Sequence, residues 1–130
     1  MTEFSHTNPR RAERKTVPSL FWSTAQAAKH YHVSELTVRR HVKSGRLPAV
    51  QIGGTWRLPA DNAHRVYDLP LECSIHDVAN SLYVSEVTVR RWIRDANIPA
   101  KKSGRSWLIR RQVIESLLAT ALLATSEEAG

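Results

Sequence analysis

The chain has 130 residues, of which 42% are hydrophobic and 24% charged, a composition typical of a globular protein and unlike that of a disordered one. Its formal net charge of +7 favours a polyanionic partner. One cysteine, Cys73, excludes an intramolecular disulfide and a cysteine-based zinc site, and we expect it to be a small buried apolar residue.

The positive charge lies in two blocks. Residues 21–58 have a net charge of +5, residues 73–112 have the same net charge, and residues 59–72 between them have a net charge of −2. Two basic blocks are the pattern expected of a nucleic-acid binder with two contact surfaces. No apolar run approaches the ~20 residues of a membrane span, so we expect a cytoplasmic, nucleoid-associated protein without a membrane partner.

An internal repeat organises the chain. Residues 33–40, with the sequence VSELTVRR, recur at 84–91 as VSEVTVRR, and the offset of 51 residues holds without a gap on both sides. Trp56, for example, falls on Trp107, and Gly53 falls on Gly104. Two copies are too few for a solenoid, so the pattern predicts a duplicated domain.

Each copy begins with two predicted helices. Ser23 with Gln26, and Ser74 with Asp77, are capping signals for the first helix. Ser34 and Ser85 cap the second helix, because a serine hydroxyl accepts a hydrogen bond from a free backbone N–H there. Gly45 is predicted to end this helix in the left-handed conformation in copy one, and Asn97 to do so in copy two.

A hairpin and a third helix complete each copy. Apolar residues alternate between Val50 and Leu58 on both sides of Gly53-Gly54, which predicts two strands joined by a tight turn, and copy two repeats this around Ser103-Gly104. The third helix is predicted around 59–67 and from about 111 to 124. The predicted organisation is a flexible basic arm (1–20), a first module (21–70), a second module (71–124) and a C-terminal tail (125–130).

The order helix, turn, helix, hairpin, helix is that of a winged helix-turn-helix, mainly α with small β-hairpin wings. STAQAAK at 23–29, VSELTVRR at 33–40 and GRLPAVQIGGTWR at 45–57 resemble the excisionase-family DNA-binding domain, which is related to the MerR-type winged helix. Copy two departs from the pattern where Gly53-Gly54 becomes Gly104-Arg105. The resemblance covers about three quarters of the chain and implies DNA binding by two tandem modules.

The second helix of each copy is the predicted recognition helix. Val38 and Val42 are four residues apart and must face the core, which turns the Arg40 side of the helix outward. Such a helix inserts its N-terminal part into the major groove. The predicted contact residues are Ser34, Glu35, Leu36, Thr37, Arg39, Arg40 and Lys43 in copy one, and Ser85, Glu86, Val87, Thr88, Arg90, Arg91 and Arg94 in copy two. Those expected to read bases are Glu35, Leu36, Arg40, Glu86, Val87 and Arg91, and those expected to hold phosphates are Arg39, Lys43, Arg90 and Arg94.

The hairpins supply a second set of predicted contacts, the wings. They are Gln51, Thr55 and Arg57 in copy one, and Lys101, Lys102, Ser103, Arg105 and Ser106 in copy two. The second wing is the more basic and the better candidate for backbone or minor-groove contact. Trp56 and Trp107 have the phase of core residues, and Trp92 is expected to be partly buried. His30 and His32 lack other ligands at metal spacing and are expected at the surface.

Rival functions fit the residues less well. There is no glycine-rich phosphate loop, Cys/His cluster or Ser-His-Asp set, so we expect no enzyme, cofactor, metal or small-molecule ligand. RNA readers display aromatic residues for stacking, which are here in core phase. A protein-interaction adaptor would lack salt-dependent DNA affinity. Within DNA binding, the resemblance favours an excisionase-like architectural factor of a mobile element, and a transcription regulator is the alternative. The apolar residues Leu117, Leu118, Leu122 and Leu123 fit packing between the modules, contact with a recombinase, or contact with a further copy of the chain.

Overall fold

A computed structural model describes residues 18–125 as two winged helix-turn-helix modules, as predicted. The first module contains β1 (Phe21–Trp22), α1 (Thr24–Tyr31), α2 (Glu35–Lys43), β2 (Val50–Ile52), β3 (Thr55–Pro59) and a 3₁₀ helix (Ala63–Asp68). The second contains β4 (Glu72–Cys73), α3 (Ile75–Leu82), α4 (Glu86–Arg94), β5 (Lys101–Ser103), β6 (Ser106–Arg110) and α5 (Arg111–Leu123).

All four predicted caps are present at the helix starts. The Ser23 hydroxyl accepts a hydrogen bond from the Gln26 amide over 3.1 Å, and the Gln26 side chain accepts one from the Ser23 amide over 3.0 Å. Ser74 and Asp77 form the same reciprocal pair, with both distances 3.0 Å. The hydroxyls of Ser34 and Ser85 each accept from the amide three residues later over 3.1 Å. These bonds satisfy orphan donors and fix where α1 to α4 begin.

The ends of the helices differ from the prediction in one place. Gly45 does follow α2 in the left-handed conformation (φ 82°), but in copy two Ala96 (φ 63°), and not Asn97, has that conformation. Ala96 occupies the register position of Gly45. The left-handed backbone conformation is therefore the same in both copies, although copy two lacks the glycine that favours it. His32 (φ 59°) and Tyr83 (φ 58°) are also left-handed and make the tight turn between the two helices of each copy.

Each hairpin is part of a three-stranded antiparallel sheet. The strand orders are β1-β3-β2 and β4-β6-β5. The hairpins agree with the prediction, with Val50 opposite Arg57 and Lys101 opposite Leu108. The strands β1 and β4 were not predicted, because two residues are too short to show a period of two. Cys73 in β4 is buried, as expected, and burial raises the pKa of its thiol to about 11.

The third helices differ in length and type. The first is the single 3₁₀ segment Ala63–Asp68, whereas α5 has 13 residues. Leu118 of α5 is buried and Leu117 is partly buried in the core, while Leu122 and Leu123 are exposed. Packing in the core therefore explains the apolar residues Leu117 and Leu118, but not Leu122 and Leu123.

The larger hydrophobic core is shared between the modules. The first module contributes Leu20, Phe21, Val50, Ile52, Val66 and Leu69, which pack with buried residues of the second module such as Val78, Leu82, Trp92, Ile109, Ile114 and Leu118. A smaller core of Ala27, Ala28, Val38, Ala49 and Leu58 lies within the first module. The two modules therefore form one body around a common core.

The folded body begins before residue 21. The Leu20 amide donates to the Ser81 carbonyl over 2.9 Å, and the Ser19 hydroxyl donates to the Asn80 carbonyl over 2.6 Å. Leu20 is also fully buried, so the described fold includes the last residues of the predicted arm. The rest of the predicted arm (1–17) and most of the predicted tail (126–130) lie outside the described residues.

The turn of the first hairpin packs against the second module. A Cβ atom on Gly53 would lie 2.6 Å from Trp92 Nε1, which is closer than real Cβ atoms approach any atom, whereas a Cβ on Gly104 would meet nothing within 4 Å. The φ angles of the two glycines are similar, +55° and +62°. The enclosure concerns Gly53 alone, since a Cβ atom on Gly54 would also meet nothing within 4 Å. It does not explain the change from Gly54 to Arg105, which falls at the open position of the turn.

We expect Ala96→Gly to raise the free energy of unfolding by about 1 kcal/mol, because glycine adopts a positive φ without the steric cost of Cβ. The matched control is Ala119→Gly, on the exposed side of α5, where the same change should lower that free energy by about 1 kcal/mol. Urea titration of both variants checks the two signs, and destabilisation by both would contradict the role of Ala96.

Gly53→Ala should lower the free energy of unfolding by roughly 3 kcal/mol, since it combines backbone strain with a clash against the Trp92 indole. Gly104→Ala carries only the backbone strain and should cost about 1 kcal/mol. Thermal or urea unfolding of the pair measures the difference. Equal losses would mean that the first hairpin does not rest on Trp92.

Candidate nucleic-acid interface

The helices α2 and α4 each bury one side and expose the opposite side. Val38 and Val89 are fully buried. The exposed side carries three basic residues in each copy, namely Arg39, Arg40 and Lys43 in α2, and Arg90, Arg91 and Arg94 in α4. The structure thus gathers the basic candidates of each recognition helix on one surface.

An apolar side chain projects from the first turn of each of these helices. Leu36 is 57% exposed and Val87 is 71% exposed, so neither contributes to the core. Exposed apolar residues at matching positions of two copies need an explanation other than packing. Contact with a thymine methyl group in the major groove is one that fits their position at the helix start.

The acidic candidates lie beside arginines. Glu35 pairs with Arg39, and Glu86 with Arg90, each over 3.8 Å and on the surface. Exposed pairs of this length contribute little to stability. DNA phosphates can therefore replace the carboxylates as partners of these arginines at small cost.

The remaining two candidates of each helix have a structural role. Ser34 and Ser85 are the caps described above, and the hydroxyls of Thr37 and Thr88 lie 3.0 Å from the respective cap hydroxyls. Their hydroxyls are thus already partnered at the helix starts. They fix the position of the neighbouring glutamates and apolar side chains.

A cleft separates α4 from the second hairpin. It is lined by His76, Glu86, Arg90, Lys102, Arg105 and Trp107, among others. Lys102 lies over the Trp107 ring, with its Nζ 4.8 Å from the ring centroid. The cleft thus brings the predicted wing residues Lys102, Arg105 and Ser106 to the same place as the recognition helix.

One residue of this cleft was missed by the sequence analysis. His76 Nδ1 lies 3.2 Å from Glu86 Oε2. The corresponding residue of the first module is Ala25, so the repeat gave no signal for a histidine there. Its contact with Glu86 could have been recognised only from the packing of α3 beside α4.

The other wing candidates divide between the two faces of their hairpins. Gln51 lies opposite Trp56, on the face that packs toward the helices of the first module. Lys101 and Ser103 alternate with Lys102 and therefore lie on the opposite, outer face of the second hairpin. They belong to the wing but not to the cleft.

Arg57 and Thr55 lie on the side of the first hairpin that faces away from the helices of the first module. Both lie on the face with Val50 and Ile52, which packs on the second module. The Arg57 side chain is half-buried near Tyr83, its Nη1 donates to the Trp56 carbonyl over 3.2 Å, and burial lowers its pKa below the usual range. The guanidinium thus lies at the contact between the modules, and a DNA contact by Arg57 stays a prediction.

The aromatic residues and histidines mostly follow the prediction. Trp56 and Trp107 are half-buried and pack against the cores of their own modules. Trp92 was expected to be partly buried and is fully buried, because the first hairpin covers it. His30 and His32 are at the surface, and no group of three potential metal ligands occurs within residues 18–125.

Two helix-turn-helix units with exposed, basic second helices define a DNA-binding protein. Residues 23–62 and 73–121 each match the family model described as "Helix-turn-helix domain", and the chain belongs to that family. No curated protein and no solved structure matches the chain. In the part of the chain that the structure describes, no helix is long and apolar enough to cross a membrane.

We expect Lys102→Ala and Lys101→Ala to affect DNA affinity differently, although the residues are neighbours of the same type. Loss of a phosphate contact reduces the slope of log K against log salt concentration by about 0.9. Lys102, in the cleft, should show this reduction, and Lys101, on the outer face, should show much less. Salt titrations by fluorescence anisotropy compare the two variants. A larger effect of Lys101→Ala would place the DNA on the other face of the hairpin.

Proposed function

We propose that both modules bind double-stranded DNA sequence-specifically, with α2 and α4 as recognition helices. The observation that carries this proposal is the repetition of one exposed pattern, a glutamate, an apolar tip and two adjacent arginines, on two helices of a single folded body. Exposed positions elsewhere differ between the copies, such as Gln51 and Lys102, whereas the positions of this pattern keep their charge.

Three residues of each helix are proposed to read bases. Arg40 and Arg91 are exposed and long enough to bond guanine at two acceptors, while Glu35 and Glu86 can accept a hydrogen bond from cytosine. Leu36 and Val87 are proposed to rest on thymine methyl groups. The two helices share a charge pattern but differ in the apolar residue, Leu36 or Val87. This combination favours two related but unequal half-sites.

The remaining basic residues are proposed to hold phosphates. Arg39, Lys43, Arg90 and Arg94 lie on the flanks and later turns of the recognition helices, where backbone contact sets orientation without reading sequence. In the second wing, Lys102 and Arg105 extend this contact from the cleft. The first wing offers only Gln51 on its helix-facing side and contributes less.

The proposed biological role is that of an excisionase-like architectural factor, which steers a site-specific recombinase of a mobile element. The resemblance in residues 23–57 supports this role. So does the shared core, because two recognition helices held in one body impose their own geometry on the DNA that they bind. A transcription regulator would use the same surfaces at promoters.

The proposal is tested by incubating the protein with sheared DNA from its source at near-physiological salt and sequencing the bound fragments. Enrichment beside an integrase gene or an attachment site would support the architectural role, and enrichment at promoters elsewhere would replace it with regulation. The absence of enrichment, with weak binding that salt abolishes, would contradict sequence-specific recognition.

Two arginine variants sharpen this experiment. Arg40→Ala and Arg91→Ala should each lower affinity for the enriched site by about 1–3 kcal/mol and relax the preference at one half-site. Arg65→Ala is the charge-matched control, since Arg65 lies in the 3₁₀ helix and pairs with Asp68 over 2.8 Å. If Arg40→Ala and Arg91→Ala lowered the affinity no more than Arg65→Ala does, Arg40 and Arg91 would not be base contacts.

A further inference from the structure

The contact between the two modules uses a different surface from each. The first module contributes the outer face of its sheet, here defined as the face carrying Phe21, Val50 and Ile52. The second contributes Trp92 of α4 together with α5, on which β2 and β3 pack. A contact between two unlike surfaces is heterologous, which means that no two-fold axis relates the modules.

The corresponding surfaces that are not used are more polar, with Leu108 as the apolar residue on the outer face of the second sheet. The outer face of the second sheet has Glu72, Lys101 and Ser103 at the positions of Phe21, Val50 and Ile52, and all three are exposed. The counterpart of Trp92 in the first module is His41. The sequence therefore favours one such contact, between the two modules of a chain. It does not favour the same contact with a further module at either end of the pair.

The first hairpin lies between the two recognition helices. On one side its Leu58 packs with Val38 of α2, and at its turn Gly53 packs against Trp92 of α4. The elements thus follow one another as α2, first hairpin, α4, second hairpin. Because no two-fold axis relates the modules, their contact does not impose on α2 and α4 the opposed orientation that an inverted repeat requires.

We infer that a single chain reads a direct repeat, that is, two related half-sites in the same orientation at one fixed spacing. Proteins that pair two recognition helices through a two-fold axis read inverted repeats, because the symmetry of the site mirrors that of the protein. The shared core fixes the distance between the helices. The inference rests on the proposed function, since it specifies the DNA that the same surfaces would bind.

The first experiment selects bound duplexes from random DNA with the full chain and determines the number of chains per duplex by native mass spectrometry. The expected result is two similar half-sites in one orientation, at one spacing, with one chain bound. An inverted repeat, a lone half-site, or two chains per repeat would overturn the inference and leave sequence-specific binding intact. The absence of any enriched sequence would instead contradict the proposed function.

The second experiment uses the selected duplex and alters only its geometry. Inserting 5 or 10 base pairs between the half-sites, or inverting one of them, should each weaken binding by at least about tenfold, because one half-site is then lost. Full recovery with 10 added base pairs would indicate modules that move independently and would overturn the fixed spacing. Arg91→Ala supplies the internal check, since it should remove the preference at the same half-site in every selected sequence.

Discussion

The packing of the first module's sheet on Trp92 and α5 is the contact on which the rest of the molecule depends. Neither module has enough residues to bury a large core alone, since domains of about 60 residues are marginally stable. The first module has only the small core around Val38 and Leu58 within itself. By covering Val50 and Ile52 with the second module, the chain obtains one core and holds two DNA-binding helices in a fixed relation.

This contact also explains where the two copies diverge. The exposed arginine pairs of α2 and α4 are the same in both copies, whereas residues of the contact between the modules differ. Val50 corresponds to Lys101, and His41 to Trp92, because a heterologous contact requires a surface to be apolar in one copy and polar in the other. The half-buried guanidinium of Arg57, where the second copy has Leu108, belongs to the same asymmetry.

Much of the fold could be predicted from the sequence because its signals are local. The serine caps, the alternation from Val50 to Leu58 and the 51-residue repeat each depend on neighbours along the chain. The strands β1 and β4, the complete burial of Trp92 and the cleft position of His76 could not be predicted, since they arise from contacts between distant segments. Ala96 was missed for another reason, because the backbone adopts a glycine-like conformation there without a glycine.

The candidate site divides in the same way. Helical periodicity placed Arg40 and Arg91 on the exposed sides of their helices, where the structure has them. Periodicity along the wings was insufficient, because both faces of the first hairpin are used and only the tertiary contact tells which face meets the second module. Arg57 and Lys102 therefore have different environments although both were wing candidates.

The order in which the chain is made gives the shared core a further consequence. The first module leaves the ribosome about 50 residues before its partner is complete, and until then Phe21, Val50 and Ile52 have no cover. An uncovered apolar sheet face is a site for aggregation or chaperone binding. Folding of the first half is thus completed only when α5, the last helix described, has been synthesised, so the two halves of this duplicated chain mature as a unit.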